Sequence, residues 1–476
     1  MPCTRLNPRG ALSTGRDGIN AAAPEVVFVF ALCCLWLLLL SGGCAPSPVA
    51  PAPTVPGLSG APPPACDRAV RLVFTGDIMT HAEQLNIARQ ADGSYDFSGQ
   101  FAPVLPLLQG DLLVGNFETV LAGPRRPYTG YPSFNTPDSL ADALRKAGFD
   151  VLLLANNHIL DLGAQAALRT KQVLTDKGFA VTGLGPGQAG HTPPLLCEVN
   201  GLRLGILNYT YGSNRPVTPA LEREIALNGM DLLLITWDVL ALRAAGAQYI
   251  VAAMHWGIEY RPEPSPAQRA VAAHCLALGV DAIIGAHPHI LQPVELHAGY
   301  GKPQLVAWSL GNFISAQRTV PRERAMILAL DLTCSPGGVP RLRRVSLSPT
   351  WVELSPARKR ARILPTAPGL LPDDASEEIR TTVRRVHADC LNFLGVLPVP
   401  DARGFYTIYE APPPVTDWLP GRSARLMRFF LPDAWLRQAV MRSRLRPPSV
   451  AGKITAPAVP LSDKKRPRPD STANAS

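Results

Sequence analysis

Short apolar runs alternate with amphipathic stretches between residues 69 and 354 of the 476-residue chain. The apolar runs are as long as strands and have few polar interruptions, as expected for strands covered on both faces. These runs are VRLVFTGD, DLLVGNFE, FDVLLLANNH, LRLGILNYT, QYIVAAMHWG, VDAIIGAHPH and QLVAWSLGNF. The alternation predicts a layered α/β domain, long enough to contain two sheets packed face to face.

The intervening helices are predicted by their end signals. SLADALRKAG ends at Gly148 and LGAQAALRTKQVLTDKG ends at Gly178, and glycine is frequent directly after a helix. PSPAQRAVAAHCLALG begins with a proline-rich turn and ends at Gly279. A further helix is predicted at residues 376–394, beyond the region of alternating runs.

The first 44 residues have the pattern of a bacterial export signal. Several arginines precede the apolar run 26–40, which is followed by Ser41, two glycines and Cys44. The run is shorter than the about 20 residues that span a bilayer. A cleaved signal is therefore expected, and its ending LSGGC resembles a bacterial lipobox, which implies an extracytoplasmic, membrane-anchored lipoprotein whose lipid is attached at Cys44. The alternative, an uncleaved signal anchor, places the protein in the same compartment.

Composition adds three constraints. The 49 prolines are about twice the usual share of roughly 5% and are concentrated in linkers. The net charge of +9 favours anionic partners, but no basic patch is interleaved with aromatic residues, so we expect no nucleic-acid binding. The cysteines after Cys44 are widely spaced and odd in number, which gives no disulfide framework.

The chain is accordingly divided into five segments. They are a signal peptide with a lipobox-like end (1–44), a Pro-rich linker (45–67), the main α/β domain (68–355), a partly helical C-terminal extension (356–445) and a disordered basic tail (446–476).

Polar residues of metal-ligand or acid-base type follow nearly every apolar run. They are Asp77, Asn116, Glu118, Asn156, Asn157, His158, Asp161, His255, Glu259, His287, His289 and Asn312. In α/β sheets, ligands collect at the carboxyl ends of strands, so we expect these side chains to converge. Two imidazoles flank a proline in GAHPH, and neutral imidazole suits transition metals. The sequence thus predicts a metal site.

The ordered series GDIM, GNFE, ANNHILDLG, MHWGIEY, GAHPHILQPVE and SLGNF resembles the CapA-type poly-gamma-glutamate capsule biosynthesis family. That family is related to the calcineurin-like metallophosphoesterases, and the resemblance covers about residues 70–315. It implies a four-layer α-β-β-α sandwich, in which two β-sheets lie between layers of helices.

The resemblance also implies roles for particular residues. The implied metal ligands are Asp77, Glu118, Asn157, His255, His287 and His289. His158 matches the histidine that assists catalysis. Glu259 is read as a catalytic residue that orients a histidine or contacts substrate, with a solvated loop carboxylate as the alternative. Met79 stands where the phosphoesterases have a histidine of an Asp-x-His motif, and His81 is the nearest imidazole in sequence.

The expected cofactors are divalent ions, Mn, Fe, Zn or Mg, with one tight position and a second weak one beside Met79. The tight position would use Glu118, Asn157, His255 and His287, and the weak one Asp77, Glu118 and His289.

Two functions remain open. The first is a cell-envelope hydrolase for a phosphoester or a gamma-glutamyl polymer. The second is a non-enzymatic accessory for assembly or export of an anionic polymer, with capsule synthesis or export proteins as partners. Because a family resemblance fixes no substrate, a polysaccharide-related envelope factor is a further alternative.

Overall fold

The computed structural model describes residues 69–299, 302–334, 339–396 and 399–411. The predicted export signal, the linker and the basic tail lie outside the described residues. Within the described ranges, no helix combines the length and apolarity needed to cross a membrane. The described chain has a mixed α/β fold.

The strands and helices are numbered along the chain. The strands are β1 (Val70–Ile78), β2 (Leu112–Phe117), β3 (Val151–Leu153), β4 (Ala180–Thr182), β5 (Leu184–Pro186), β6 (Leu195–Val199), β7 (Leu202–Thr210), β8 (Ile225–Leu227), β9 (Tyr249–His255), β10 (Ala282–Ala286), β11 (Val294–Ala298), β12 (Pro303–Ala307), β13 (Asn312–Ile314), β14 (Arg324–Cys334), β15 (Pro340–Ser355), β16 (Arg360–Pro365) and β17 (Tyr406–Glu410). The helices are α1 (Ala82–Ala88), α2 (Ser139–Ala147), α3 (Ala164–Asp176), α4 (Pro219–Glu224), α5 (Leu232–Ala244), α6 (Pro266–Ala277) and α7 (Glu377–Leu394).

Two mixed sheets contain most of the strands. The larger has the order β16-β15-β14-β1-β2-β3-β4, with β13 beside β1 and β17 beside β15. The smaller has the order β11-β12-β10-β9-β7-β6. Strands β1 to β4 run parallel in the first sheet, and β7, β9, β10 and β12 run parallel in the second. The parallel strands bring many carboxyl ends to two sheet edges.

Alternate residues of the strands belong to different hydrophobic clusters. One cluster contains Phe74 of β1 together with Ile206 of β7, and thus draws on both sheets. Val73, the neighbour of Phe74, belongs to a second cluster with Leu144 of α2. A third cluster joins strands of the smaller sheet to α5 and α6. Because successive side chains point to opposite faces, this distribution explains the nearly continuous apolar runs.

The predicted helices are confirmed, with ends shifted by one or two residues. Gly148 follows α2 with a φ of 97°, and its N–H bonds to the carbonyl groups of the last turn. α6 begins after Ser265, whose hydroxyl accepts a hydrogen bond from the Gln268 N–H while the Gln268 side chain bonds back to the Ser265 N–H. This reciprocal cap satisfies two N–H groups that the helix leaves unpaired. The prediction at 376–394 corresponds to α7.

Two apolar runs differ from the expected single strands. FDVLLLANNH contains only the three-residue strand β3. The chain leaves the strand after Leu153, and the polar residues that end this run lie in the following turn. QLVAWSLGNF is divided between β12 of the smaller sheet and β13 of the larger. The connection passes closely over two strands: a Cβ atom on Gly285 would lie 1.8 Å from the Trp308 carbonyl oxygen, so glycine is required there.

The extension predicted from residue 356 is continuous with the main domain as far as residue 411. It adds β16 and β17 to the larger sheet, where both pair with β15. α7 contributes Val386 and Cys390 to the cluster shared by the two sheets. The apolar positions of this extension therefore complete the core, although its sequence texture differs from that of the preceding part.

Candidate metal centre

The strand order brings the candidate ligands together. Asp77 of β1 is in register with Asn116 of β2, two residues before Glu118. In the smaller sheet, His255 at the end of β9 is in register with Ala286, directly before His287. The six predicted metal ligands are all buried, none more than 3% exposed. The rule that ligands collect at the carboxyl ends of parallel strands therefore holds in both sheets.

Two overlapping groups of donor atoms are close enough to hold a metal ion. Glu118, His287 and His289 form one group, and Asp77, Glu118 and His255 form the other. Within each group the ligand atoms lie within 4.8 Å of one another. Glu118 belongs to both groups, as a carboxylate shared by two positions would.

The division of the ligands between two metal positions stays a prediction. Asn157 Oδ1 is 2.8 Å from His255 Nε2, and His289 Nδ1 is 3.1 Å from Asp77 Oδ2, as the predicted pairs require. The two groups of carboxylate and imidazole donors also bring His255 close to Asp77, and His287 close to His289. The donors of both predicted positions therefore lie within one cluster.

Asn116 holds the two carboxylates together. Its Nδ2 atom donates hydrogen bonds to Asp77 Oδ1 at 2.9 Å and to Glu118 Oε2 at 3.1 Å. Burial, together with the Asp77 carboxylate, holds the pKa of Glu118 well above its usual range. The amide donor offsets part of the repulsion between these acids. Asn116 lies among the strand-end polar residues seen in the sequence, where no role was predicted for it.

The imidazoles of His255 and His287 favour their neutral form. Burial and then the neighbouring His287 and His289 hold the pKa of His255 well below its usual range. Burial also lowers the pKa of His287 to about 3. Neutral imidazole is the form that binds metals, so protonation does not compete with metal binding near neutral pH.

Two buried atoms show that a cation fits this donor set. Glu118 Oε1 and His287 Nδ1 have no hydrogen-bond partner among the described residues. Leaving a buried polar group unpaired costs about 1–3 kcal/mol, and more for charged groups. Both residues belong to the donor group Glu118, His287 and His289. A mixed set of imidazole and carboxylate donors suits a divalent transition metal.

The backbone at the GAHPH segment is also unusual. His287 has a φ of 97° and His289 a φ of 59°, both in the left-handed region that residues with a Cβ seldom adopt. Such conformations cost about 1–3 kcal/mol each and cluster at ligand-binding sites. The strain places both imidazoles in the donor set.

His158 lies beside the donor set with its own acidic partner. Its Nδ1 atom is 2.9 Å from Asp161 Oδ2, and the ring packs edge-on against Phe134 at a centroid distance of 4.8 Å. His158 belongs to neither group of candidate metal donors. This position suits an acid-base residue, and its catalytic role stays a prediction.

Asn214 connects His158 to the donor set and was missed in the sequence. Its Oδ1 accepts a hydrogen bond from Asn157 Nδ2 at 3.1 Å, and its Nδ2 lies 3.3 Å from His158 Nε2. Because the Asn157 NH2 group is taken by Asn214, the Asn157 carbonyl oxygen points to His255. Asn214 follows the carboxyl end of β7, so the strand-end rule was the signal that could have found it.

Glu259 is exposed and lies at the edge of the centre. Burial of Tyr260, followed by its hydrogen bond to Glu259, raises the pKa of the Tyr260 hydroxyl to about 12. In the described part of the chain no hydrogen bond joins Glu259 to a histidine, and its role in orienting one stays a prediction. Its contact with substrate likewise stays a prediction.

Tyr211, also missed in the sequence, packs against His287 at a centroid distance of 4.5 Å.

Met79 and His81 lie close to the centre without joining either donor group. Met79 is buried, and its N–H bonds to the Ile314 carbonyl at 2.9 Å. His81 Nδ1 accepts a hydrogen bond from the Ala316 N–H at 3.3 Å, and burial lowers the His81 pKa to about 4. His81 is thus engaged in structural contacts, which disfavours it as the replacement for the missing histidine.

The fold and the buried donor set define a mixed α/β protein with a candidate metal centre at the sheet edges. Residues 71–317 match the family model described as "Bacterial capsule synthesis protein PGA_cap". The chain belongs to this family, as the ordered motifs indicated.

Curated relatives with capsule-related names match the same region. The chain is similar to "Capsule biosynthesis protein CapA" of Bacillus anthracis, 29% identical over 253 residues, covering 52% of this chain and 60% of that protein. It is also similar to "PGA biosynthesis protein CapA" of Bacillus subtilis, 26% identical over 268 residues, covering 55% of this chain and 67% of that protein. A "Probable polyglutamine synthesis accessory protein" of Mycobacterium tuberculosis is 27% identical over 218 residues, covering 42% of this chain and 56% of that protein. The matched region thus covers between 56% and 67% of the length of these relatives.

Solved structures show a more distant similarity. The calcineurin-like phosphoesterase YfkN from Bacillus subtilis aligns with a TM-score of 0.36 and 17% identity, covering 68% of this chain and 98% of that chain. A 5'-nucleotidase from Candida albicans aligns with a TM-score of 0.37 and 12% identity, covering 68% of this chain and 58% of that chain. The family assignment rests on the family model rather than on these structures.

Proposed function

We propose that the protein is a metal-dependent hydrolase of the bacterial cell envelope that acts on an anionic capsule polymer, at a phosphoester or gamma-glutamyl bond. The observation that carries the proposal is the buried donor set in which Glu118 Oε1 and His287 Nδ1 have no hydrogen-bond partner among the described residues. A four-layer calcineurin-like arrangement is part of the proposal, and the three hydrophobic clusters support it.

The donor set would hold divalent ions through Asp77, Glu118, Asn157, His255, His287 and His289. A bound divalent ion lowers the pKa of its water from 15.7 to about 7, which supplies hydroxide at neutral pH. The protein's own contribution begins with orientation. Asn116 donates to Asp77 and Glu118, and Asn214 turns the Asn157 carbonyl oxygen toward His255. Such outer contacts fix the ligands before any ion arrives.

His158 is the proposed general acid. Its Nδ1 atom donates a hydrogen bond to Asp161, and Nε2 is the nitrogen proposed to carry a proton to the leaving group, where substrate would replace the Asn214 amide that lies 3.3 Å away. Burial of both side chains keeps bulk water from competing for this proton. Glu259, at the rim, is the proposed contact for substrate.

The setting of this activity is the outer face of the membrane. The export signal pattern with Cys44 supports an anchored, extracytoplasmic protein, by lipid or by signal anchor. The capsule-related names of the relatives and the net charge of +9 support an anionic polymer as substrate and capsule synthesis or export proteins as partners.

A non-enzymatic accessory for polymer assembly or export is the second candidate, and Met79 favours it. This buried thioether occupies the place of a histidine ligand in the metallophosphoesterase pattern, and hard divalent ions bind thioethers weakly. One relative also has "accessory protein" in its name.

Hydrolysis assays on the metal-loaded protein separate the two candidates. We expect cleavage of a phosphodiester or of poly-gamma-glutamate that stops on chelation and resumes when Mn²⁺ or Zn²⁺ is restored. Glu118→Gln should abolish cleavage, whereas Arg358→Met, an exposed change outside the site, should leave it unaltered. Equal product formation by wild type and Glu118→Gln would contradict the hydrolase. Metal binding without turnover on either substrate would favour the accessory.

A further inference from the structure

Arg322 lies at the edge of the centre with its guanidinium group stacked on an aromatic ring. Its Cζ atom is 3.4 Å from the centroid of the Tyr260 ring. The Tyr260 centroid is in turn 6.0 Å from that of His289. The three side chains lie in series, so only the Tyr260 ring separates the guanidinium group of Arg322 from His289, a candidate metal ligand.

Backbone contacts fix this series on both sides. The carbonyl group of Arg322 accepts a hydrogen bond from Asn312 Nδ2 at 2.8 Å, and Asn312 Oδ1 is 3.1 Å from His289 Nδ1. The N–H of Tyr260 donates to the Pro288 carbonyl at 2.8 Å. Tyr260 has a φ of 64°, an uncommon conformation for a residue with a Cβ. The tyrosine is thus set in a specific position against the GAHPH segment.

Within the described residues, the charge of Arg322 is not used by an ion pair. Nearby arginines are paired: Arg324 contacts Glu323 and Arg362 contacts Glu353. Among the ion pairs of the described residues none involves Arg322, whose side chain is half-buried beside the centre. Its N–H groups are therefore available to an anion that enters the site.

We propose that Arg322 binds a second oxyanion of the substrate, a carboxylate or a phosphate, next to the group that reaches the metal donors. The guanidinium fork matches both oxyanions through two parallel hydrogen bonds, and the Tyr260 ring holds the fork flat. The site then selects molecules that carry at least two neighbouring anionic groups. This inference rests on the proposed function and specifies its substrate class.

Calorimetric titration of the full-length, metal-loaded protein tests the inference without requiring turnover. The probes are a gamma-glutamyl oligomer, which carries carboxylates, and inorganic tripolyphosphate, which carries phosphates. Arg322→Met should weaken binding of the preferred probe by about 10- to 100-fold, because hydrogen bonds between charged groups are lost. The probe with the larger loss identifies the oxyanion. Arg322→Lys should give a smaller loss, since it retains charge without the fork.

Arg358→Met is the matched control, because it removes the same charge from an exposed position outside the centre. It should bind both probes within about twofold of wild type, as surface charges remote from a ligand contribute little. Equal affinities of wild type and Arg322→Met would overturn the inference, as would equal losses in Arg322→Met and Arg358→Met. Circular dichroism checks folding, and Arg322→Gln replaces Arg322→Met if the latter does not fold.

Hydrolysis and metal content are measured on the same preparations. An active, metal-bound enzyme whose affinity is independent of Arg322 contradicts this inference alone. A protein that binds an oligoanion through Arg322 but neither holds metal nor hydrolyses any probe contradicts the proposed hydrolase while supporting the anion-binding role of Arg322.

Discussion

The Nδ1 atom of His158 lies 2.9 Å from Oδ2 of Asp161, with the two side chains only 4% and 3% exposed. The same carboxylate oxygen accepts a hydrogen bond from the Phe134 N–H at 3.0 Å. Asp161 is therefore fixed to the backbone of another segment, and it fixes the direction of the His158 ring in turn. This pair is the part of the site best suited to proton transfer.

Replacing either member should lower turnover without emptying the metal centre. General acid catalysis contributes about 10²- to 10⁴-fold, so His158→Ala should reduce kcat by that order. Asp161→Asn should reduce kcat less, because the ring loses the carboxylate that fixes its direction but keeps a side chain of the same shape. Steady-state kinetics together with metal analysis checks both variants. A loss of metal in proportion to the loss of kcat would show that His158 is a ligand and not an acid.

Asn214 should support metal binding although it contacts no candidate ion position itself. Its Oδ1 holds the Asn157 NH2 group, so Asn214→Ala frees Asn157 to rotate. Loss of such an outer contact typically costs about 10- to 100-fold in metal affinity. Competition with a chelator of known affinity measures the change. Ser213→Ala, in the same loop, serves as the control and should retain wild-type affinity; comparable losses in both variants would contradict the prediction.

The C-terminal extension up to residue 411 should be needed for stability. A chain ending at Ser355 lacks β16, β17 and α7, which removes Leu364, Val386 and Tyr406 from the core. Each such buried apolar side chain contributes about 1.5–3 kcal/mol. We expect the shortened chain to be insoluble, or to unfold about 10 °C or more below a chain ending at residue 411 in a thermal melt. Equal melting temperatures would show that the main domain ends at Ser355.

Three cysteines should resist alkylation in the native protein. Burial raises the pKa of the Cys197, Cys275 and Cys390 thiols to about 12. The thiolate is the reactive form, so at pH 8 these residues should remain unmodified by iodoacetamide. Peptide mass mapping after brief labelling reads the outcome, with protein labelled in denaturant as the control. Rapid native labelling of Cys275 would contradict its assignment to the core.

Much of the fold could be predicted because its signals are local. The boundaries of α2, α3, α6 and α7 follow from glycine stops and caps, and the buried strands follow from uninterrupted apolar runs. β14 and β15 were missed: they form an antiparallel pair of consecutive strands, and β14 joins the larger sheet by pairing with β1, which is distant in sequence. The division of QLVAWSLGNF between two sheets is likewise a tertiary effect.

The candidate site shows the same limit. Strand-end position was enough to select the residues that converge, from Asp77 to His289. It could not assign partners, because the pairing of His255 with Asp77 joins the two sheets. Tyr211 and Asn214 escaped notice because neither belongs to a motif of metal ligands, and their contribution lies in contacts with residues that do.

The number of bound metals tests the central claim most directly. Because Met79 replaces an imidazole, we expect one tightly held divalent ion and a second that is lost on dilution, with Met79→His strengthening the second. The measurement is the metal content of dialysed wild type and His287→Ala by plasma mass spectrometry. The account predicts one metal per wild-type chain and an empty His287→Ala protein. Two equally tight metals in the wild type, or wild-type metal content in His287→Ala, would contradict it.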